Sequence, residues 1–322
     1  MAMWQPDRAV TGPERATHAD VDALNRVFSE AFTDRYRKDG LGGVRVPHLN
    51  PAIWRYAIAD AGDGAMVWRD ARGEVVAFNM VHLAGTEGWM GPLAVRTDRQ
   101  GGGLGREIVE AGVKWLQQHG ARTIGLETMP RTIDNIGFYS RLGFLPGHLT
   151  VSLQRDRPRA LAIDASRVGA LDQPGRAAVI GECGHLSREL GAGVDFTAEL
   201  DLTLGLGLGD VTVLRDTDGR AIGFGLWHTV PLVQGRPREE LRLLKLVARD
   251  FDAAIKVVGA LERETAAQAL RHLTVRCQTA HHELYAALIA DGYRVQWTDL
   301  RLTLAGTGVD QSKGVVLSNW EI

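Results

Sequence analysis

The chain has 322 residues, 45% of them hydrophobic and 24% charged, with a formal net charge of −2. That length accommodates two domains of ordinary size, and the near-neutral balance supplies no electrostatic footprint for nucleic acid or a membrane surface. Met1–Arg8 lacks the layout of a signal peptide, no apolar run approaches a membrane span, and Cys183 and Cys277 have no CxxC partner, so a cytoplasmic setting is expected.

Periodicity sets the elements of the first half. Glu14–Thr17 ends a short strand. From Asp20 a helix carries Leu24, Val27, Phe28, Ala31 and Phe32 on one face. Residues 33–50 read as turn-rich, and a short helix covers Pro51–Ile58. Ala65–Arg69 and Glu74–Leu83 are strands joined by the turn Asp70-Ala71-Arg72-Gly73. Met90–Val95 is a buried strand. After a glycine run, Leu104, Ile108, Ala111, Trp115 and Leu116 mark one face of a helix, with Gly120 at its C-terminal cap. Arg122–Met129 is a strand, Thr132–Leu142 a helix closed by Gly143-Phe144, and Leu149–Leu153 a strand.

The glycine run Gln100-Gly101-Gly102-Gly103-Leu104-Gly105 carries the chemistry. A glycine-rich turn entering a helix aims unpaired backbone N–H groups in one direction, where the helix dipole adds partial positive charge. Without side chains the backbone can approach a diphosphate closely. The Walker form is excluded, because no Gly-Lys-Ser/Thr follows. The dinucleotide fingerprint is excluded too, because its third glycine position is Ile108. The ten histidines have no HExxH or comparable spacing, so no metal is expected.

Gln-x-x-Gly-x-Gly (Gln100, Gly103, Gly105) after Leu93-Ala94-Val95 resembles the acetyl-CoA signature of the GNAT superfamily of acyltransferases. Asn135-Ile136-Gly137-Phe138-Tyr139-Ser140-Arg141-Leu142-Gly143-Phe144 resembles the closing pattern of the same family, and the element order over residues 10–155 is the family's order. The resemblance implies an α/β (α+β) fold with a mixed central sheet flanked by helices. It also implies acetyl-CoA as cosubstrate, with an amine of a small molecule or peptide as acceptor. Gly101, Gly102, Gly103, Leu104 and Gly105, with Gln100, would hold the diphosphate, and the backbone of Leu93, Ala94 and Val95 would pair with the pantetheine arm. Tyr139 matches the general acid that protonates the departing thiolate. Asn135 either contacts the coenzyme arm or caps its helix. Arg96, Arg99 and Arg106 flank the cradle, where they could meet the 3′-phosphate or simply be solvated.

The general base departs from the family pattern: the usual glutamate position is Trp89. Glu87, two residues earlier with the same side-chain parity, and Glu127, on the strand after the cradle helix, are the candidates. Loss of the amine proton to solvent needs neither. Arg35, Tyr36, Arg37, Lys38, Arg45 and His48 lie where this fold builds its acceptor site, and the ordinary reading of that stretch is a solvated loop. Trp54 and Tyr56 either line the pocket or pack in the core.

Gln154–Arg159 is charged, contains Pro158 and reads as a linker. The chain beyond it repeats the order: helices over Arg176–Leu190 and Phe196–Leu206, strands over Asp210–Arg215, Ala221–His228 and Glu240–Val247, a helix over Asp252–Leu270, then His272–Gln278, His282–Ala290 and Gly292–Leu304. Placing Gly73 on Gly219, Val95 on Val247 and Gly143 on Gly292 gives offsets of 146, 152 and 149, the mark of a duplicated domain. The cradle positions become Asp252, Ile255 and Val257, and the tyrosine position becomes Leu288. The expected organisation is therefore an acetyl-CoA-binding GNAT domain over 1–155, a degenerate GNAT-like domain over 160–308, and a tail, 309–322. In that tail Gly314–Trp320 could add a strand to a sheet edge of its own chain or of a partner in a homodimer. Two functions fit: an N-acetyltransferase, or a non-catalytic acetyl-CoA sensor, which Trp89 at the base position favours.

Overall fold

The structure, a computed structural model, describes residues 9–308 and 312–320. The first half comprises β1 (Val10–Arg15), α1 (Val21–Lys38), α2 (Pro51–Ala61), β2 (Ala65–Asp70), β3 (Val75–Ala84), β4 (Glu87–Val95), α3 (Leu104–Gln118), β5 (Thr123–Thr128), α4 (Ile133–Arg141) and β6 (Phe144–Asp156). The second comprises β7 (Ser166–Arg167), α5 (Gln173–Leu190), α6 (Thr197–Gly205), β8 (Gly209–Arg215), β9 (Ala221–His228), β10 (Glu240–Ala248), α7 (Phe251–Ala267), β11 (His272–Gln278), α8 (His282–Ala290), β12 (Arg294–Leu304) and β13 (Val315–Ser318).

These strands form one mixed sheet in the order β1-β2-β3-β4-β5-β12-β6-β11-β10-β9-β8-β7, with β13 on β10. The order is the same from both ends: five strands of one half, then the final long strand of the other, β12 from one end and β6 from the other. β12 lies between β5 and β6, and β6 lies between β12 and β11, both antiparallel to their neighbours. Each half thus completes its sheet with its partner's final long strand. Helices cover both faces. In the first half α1 and α2 pack on the face of Val67, Phe78 and Met80, while α3 packs on the opposite face of Val81, Met90 and Leu126. In the second half α5 and α6 occupy one face, and α7 and α8 the other. Turn glycines recur in step: Gly73 and Gly219 have φ 77° and 79°, Gly143 and Gly292 90° and 95°.

Three expectations need correction. Residues 33–38 are helix, because Asp34 pairs with Arg37 and with Lys38 (2.7 Å), and Arg35 with Asp39 (2.5 Å), at i,i+3 and i,i+4 spacing. Gln154–Asp156 is strand rather than linker: it pairs with His272–Thr274 of β11, and its charges find partners, Arg155 in Glu262 and Asp156 in His272. The tail strand joins the interior of the sheet, on β10, rather than an outer edge. The expected loose stretch, Val309–Lys313, lies partly outside the described residues.

Candidate active site

The site is built around a gap between two parallel strands. β4 and β5 pair from Glu87↔Thr123 to Met90↔Leu126 and then part, while the far side of β4 stays bonded to β3, Leu93↔Asn79 and Val95↔Ala77. An irregularity between Met90 and Leu93 resets the side-chain parity. Glu87 and Trp89 therefore lie on the face away from α3, Glu87 against Ser318 and Trp89 against His82, while Leu93 and Val95 face α3. Over Leu93, Ala94 and Val95 the β5-side backbone edge of β4 has no strand on it among the described residues, as required of an edge that could receive an extended thioester arm.

At the end of β4 the chain makes the glycine turn. Gly101 and Gly103 sit at φ 82° and 92°, a left-handed conformation that side chains resist. A Cβ on Gly101, Gly102 or Gly103 would meet nothing within 4 Å, so the turn faces open space. α3 begins at Leu104 with no side-chain cap. Its first intrahelical bonds run from Arg106 and Glu107 to the Gly103 carbonyl, at 3.0 and 3.2 Å, so the N–H groups of Leu104 and Gly105 point outward ahead of them. Gln100 turns back on its own strand, donating to the Val95 carbonyl at 2.9 Å, and Lys38 reaches its Oε1 at 3.4 Å. Arg96 and Arg99 are held by Asp70 and Asp98, whereas Arg106 is exposed and pairs with Glu110.

Across the gap, Tyr139 is buried against Phe138 and Phe144, and burial raises its pKa, keeping the phenol neutral. Asn135 does not cap α4: its amide donates to Thr128, the last residue of β5, at 3.4 Å.

The two candidate bases are both held by the second half. Glu127 is buried between Arg276 (2.6 Å) and Arg301 (2.8 Å) and accepts from Thr150 at 2.5 Å. Burial raises its pKa, but the two guanidinium groups and the hydroxyl outweigh that and leave it lowered, which makes it a weak proton acceptor. Glu87 is buried and accepts from the hydroxyl of Ser318. Trp89 stacks on His82 with ring centroids 4.0 Å apart, and His82 Nδ1 donates to Asp60 at 2.5 Å. His82 Nε2 and Trp89 Nε1 are buried without a partner among the described residues. Sequence reasoning missed His82, Asp60 and Ser318. His82 sits inside an apolar strand run, and no spacing links residue 60 to 82 or 87 to 318.

The acceptor region is less basic than its composition. Arg35 is taken by Asp39 and Asp134, and Arg37 and Lys38 by Asp34. Asp39 also accepts from Thr132, which ties the end of α1 to the start of α4 across the mouth of the gap. The Tyr36 ring lies 6.4 Å from Trp297 of β12. His48 and Leu49 are pinned to the second half through Gln234 and Val233. Trp54 is core, donating to Asn25 at 2.7 Å, and Tyr56 is buried edge-on to His228 of β9.

The corresponding place in the second half is closed. Asp250 caps α7 by accepting from the Ala253 N–H at 2.8 Å, so a carboxylate occupies the N-terminus that an anion would need. β10 leaves β11 after Leu243, and the freed edge, Lys245–Ala248, is bonded to β13.

The fold is that of GNAT-type acetyltransferases. Residues 24–144 match the model described as the Acetyltransferase (GNAT) family. No curated protein sequence matches the chain. Among solved structures it is similar over its whole length to a candidate acetyltransferase from Pyrococcus horikoshii (15% identity, TM-score 0.66, 99% of this chain and 96% of that one). It is similar also to a GCN5-related N-acetyltransferase from Sphaerobacter thermophilus (16%, 0.61, 96% and 99%) and to a tandem GNAT protein from the clavulanic acid biosynthesis pathway (12%, 0.59, 94% and 99%).

Proposed function

We propose that the chain is an N-acetyltransferase. Residues 1–155 bind acetyl-CoA and pass its acetyl group to a primary amine on a small molecule or peptide. Residues 160–308 are a degenerate copy of the same domain. The observation that carries this reading is the bare edge of β4 beyond Met90, running into a glycine turn whose N–H groups face open space. The family match over 24–144 supports the general activity, acetyl transfer from acetyl-CoA. The recurrent strand order supports the duplication.

In this reading the Leu104 and Gly105 amides and the glycine turn hold the diphosphate, and the β4 edge at Leu93–Val95 orients the arm. Tyr139, kept neutral by burial, delivers a proton to the thiolate. Glu87 accepts the amine proton through a water; Glu127 is spent on its two arginines. The test is thiol release from acetyl-CoA over a panel of amines, beside Tyr139→Phe. A fall of about 10²-fold or more with unchanged coenzyme binding is expected for loss of a general acid, and equal rates would remove Tyr139 from the mechanism.

The sensor reading rests on Trp89, whose stacked position against His82 fills the place of the usual base. Saturable acetyl-CoA binding with no turnover on any amine would favour it.

A further inference from the structure

β13 occupies in the second half the place that stands open in the first. Its register on β10 runs from Lys245↔Ser318 to Ala248↔Val315, along the edge freed where β11 departs. The hold on it is polar as well as backbone. His281 meets the Val316 carbonyl at 3.0 Å, Gln278 donates to the Ser318 carbonyl at 3.2 Å, and Arg301 donates to that same oxygen. Lys245, 2% exposed, donates to Ser318 Oγ at 3.2 Å and to the Asn319 carbonyl at 2.9 Å.

Past Ser318 the chain leaves the second half and enters the first. The Ser318 hydroxyl donates to Glu87. The Trp320 ring lies on Gly125 of β5, where a Cβ would stand 2.2 Å from it, and the Arg301 guanidinium sits 3.9 Å from the ring centroid. The Trp320 carbonyl lies 3.5 Å from where a Gly91 Cβ would be. Gly91 and Gly125 flank the point at which β4 and β5 part, on the face that carries Glu87 and Trp89. A strand seated in one half's gap thus delivers two side chains to the other half's gap. Glu87, Ser318 and Trp320 are at most 6% exposed, so removing the Ser318 hydroxyl takes a fixed donor from a buried carboxylate.

We propose that β13 is a resident strand of the second half's cleft whose exit segment completes the first half's acceptor pocket, Ser318 positioning the Glu87 carboxylate and Trp320 setting the size of acceptor admitted. The inference rests on the transfer reading above. A buried carboxylate with a fixed hydroxyl donor keeps one orientation, and proton acceptance needs that orientation at the moment of transfer.

The test uses the full chain with Ser318→Ala, Ser318→Thr and Trp320→Ala, each checked for native circular dichroism. It measures acetyl-CoA binding by calorimetry and steady-state kinetics on amines of graded size. Ser318→Ala is expected to lower kcat roughly tenfold or more with acceptor KM and coenzyme Kd within about twofold, and Ser318→Thr, which keeps the hydroxyl, to recover most of the loss. Trp320→Ala is expected to shift the kcat/KM ratio of bulky to small amines by about tenfold toward the bulky ones. If Ser318→Ala does not fold, Ser318→Cys replaces it under the same kcat criterion. Parent turnover with unchanged kcat in the serine variant and unchanged ranking in the tryptophan variant would overturn this inference alone. Coenzyme uptake by the parent with no amine turnover would overturn it too, since no step would remain to be positioned. No coenzyme uptake by the parent would sink the transfer reading and this one with it.

Discussion

Gly125 and Trp320 are 195 positions apart in the chain and fit against each other, the ring lying where a Gly125 side chain would be. Gly125→Ala therefore has no room: the added methyl would stand 2.2 Å from Cζ3 of Trp320 and 2.9 Å from the Leu302 carbonyl. Overpacking of this kind costs about 1–3 kcal/mol. The expected outcome is a lowered urea midpoint together with altered tryptophan fluorescence as the ring is displaced. Unchanged stability and emission would contradict the contact.

Gly103 initiates α3 from φ 92°, with open space beside it. Gly103→Ala therefore tests the backbone rather than a clash. A residue other than glycine in this region costs about 1–3 kcal/mol. If the turn relaxes to relieve that strain, its N–H groups lose their aim, and acetyl-CoA affinity by calorimetry is expected to fall about tenfold, equivalent to about 1.4 kcal/mol.

Glu127 sits between Arg276 and Arg301, whose side chains are only 9% and 14% exposed. Glu127→Gln would leave two buried cations facing one fewer anion, with Asp299 remaining on Arg276. Breaking such a pair costs about 3–5 kcal/mol. A large loss of denaturant stability is expected, with any fall in activity following the folded fraction. A variant that is fully folded yet inactive would show that Glu127 acts chemically after all.

Glu199 of α6 faces Lys245 at 3.2 Å. Burial pushes its carboxyl up to about 8 despite the lysine, with Asp60 and Glu87 adding in the same direction. The folded pKa lies above the unfolded value, so the folded chain retains a proton that the unfolded chain releases. Stability is therefore expected to fall as pH rises from about 4.5 to about 8. Glu199→Gln should remove that part of the slope, checked by urea midpoints at about pH 5 and about pH 9. Parallel profiles for parent and variant would refute the assignment.

The sequence alone determined what is local. Period and turn chemistry are written in neighbouring residues, so the main helices and strands of both halves, the glycine turn at Gly101–Gly105, the Asn135–Phe144 pattern and the carboxylates at the start of α7 were legible, whereas the short strand Ser166–Arg167 and the Phe144–His148 part of β6 were not. Boundaries slipped where charge was taken for solvent exposure. Asp34–Lys38 continued a helix through its own ion pairs, and Gln154–Asp156 was paired strand. The tertiary structure alone decided which strand closes which half, because backbone hydrogen bonding is indifferent to side-chain pattern and β6 and β12 suit either sheet. It also decided the surroundings of the two carboxylates. Glu127 meets Arg276 and Arg301, His82 meets Asp60, and Glu87 meets Ser318, all across separations at which sequence spacing carries no distance information.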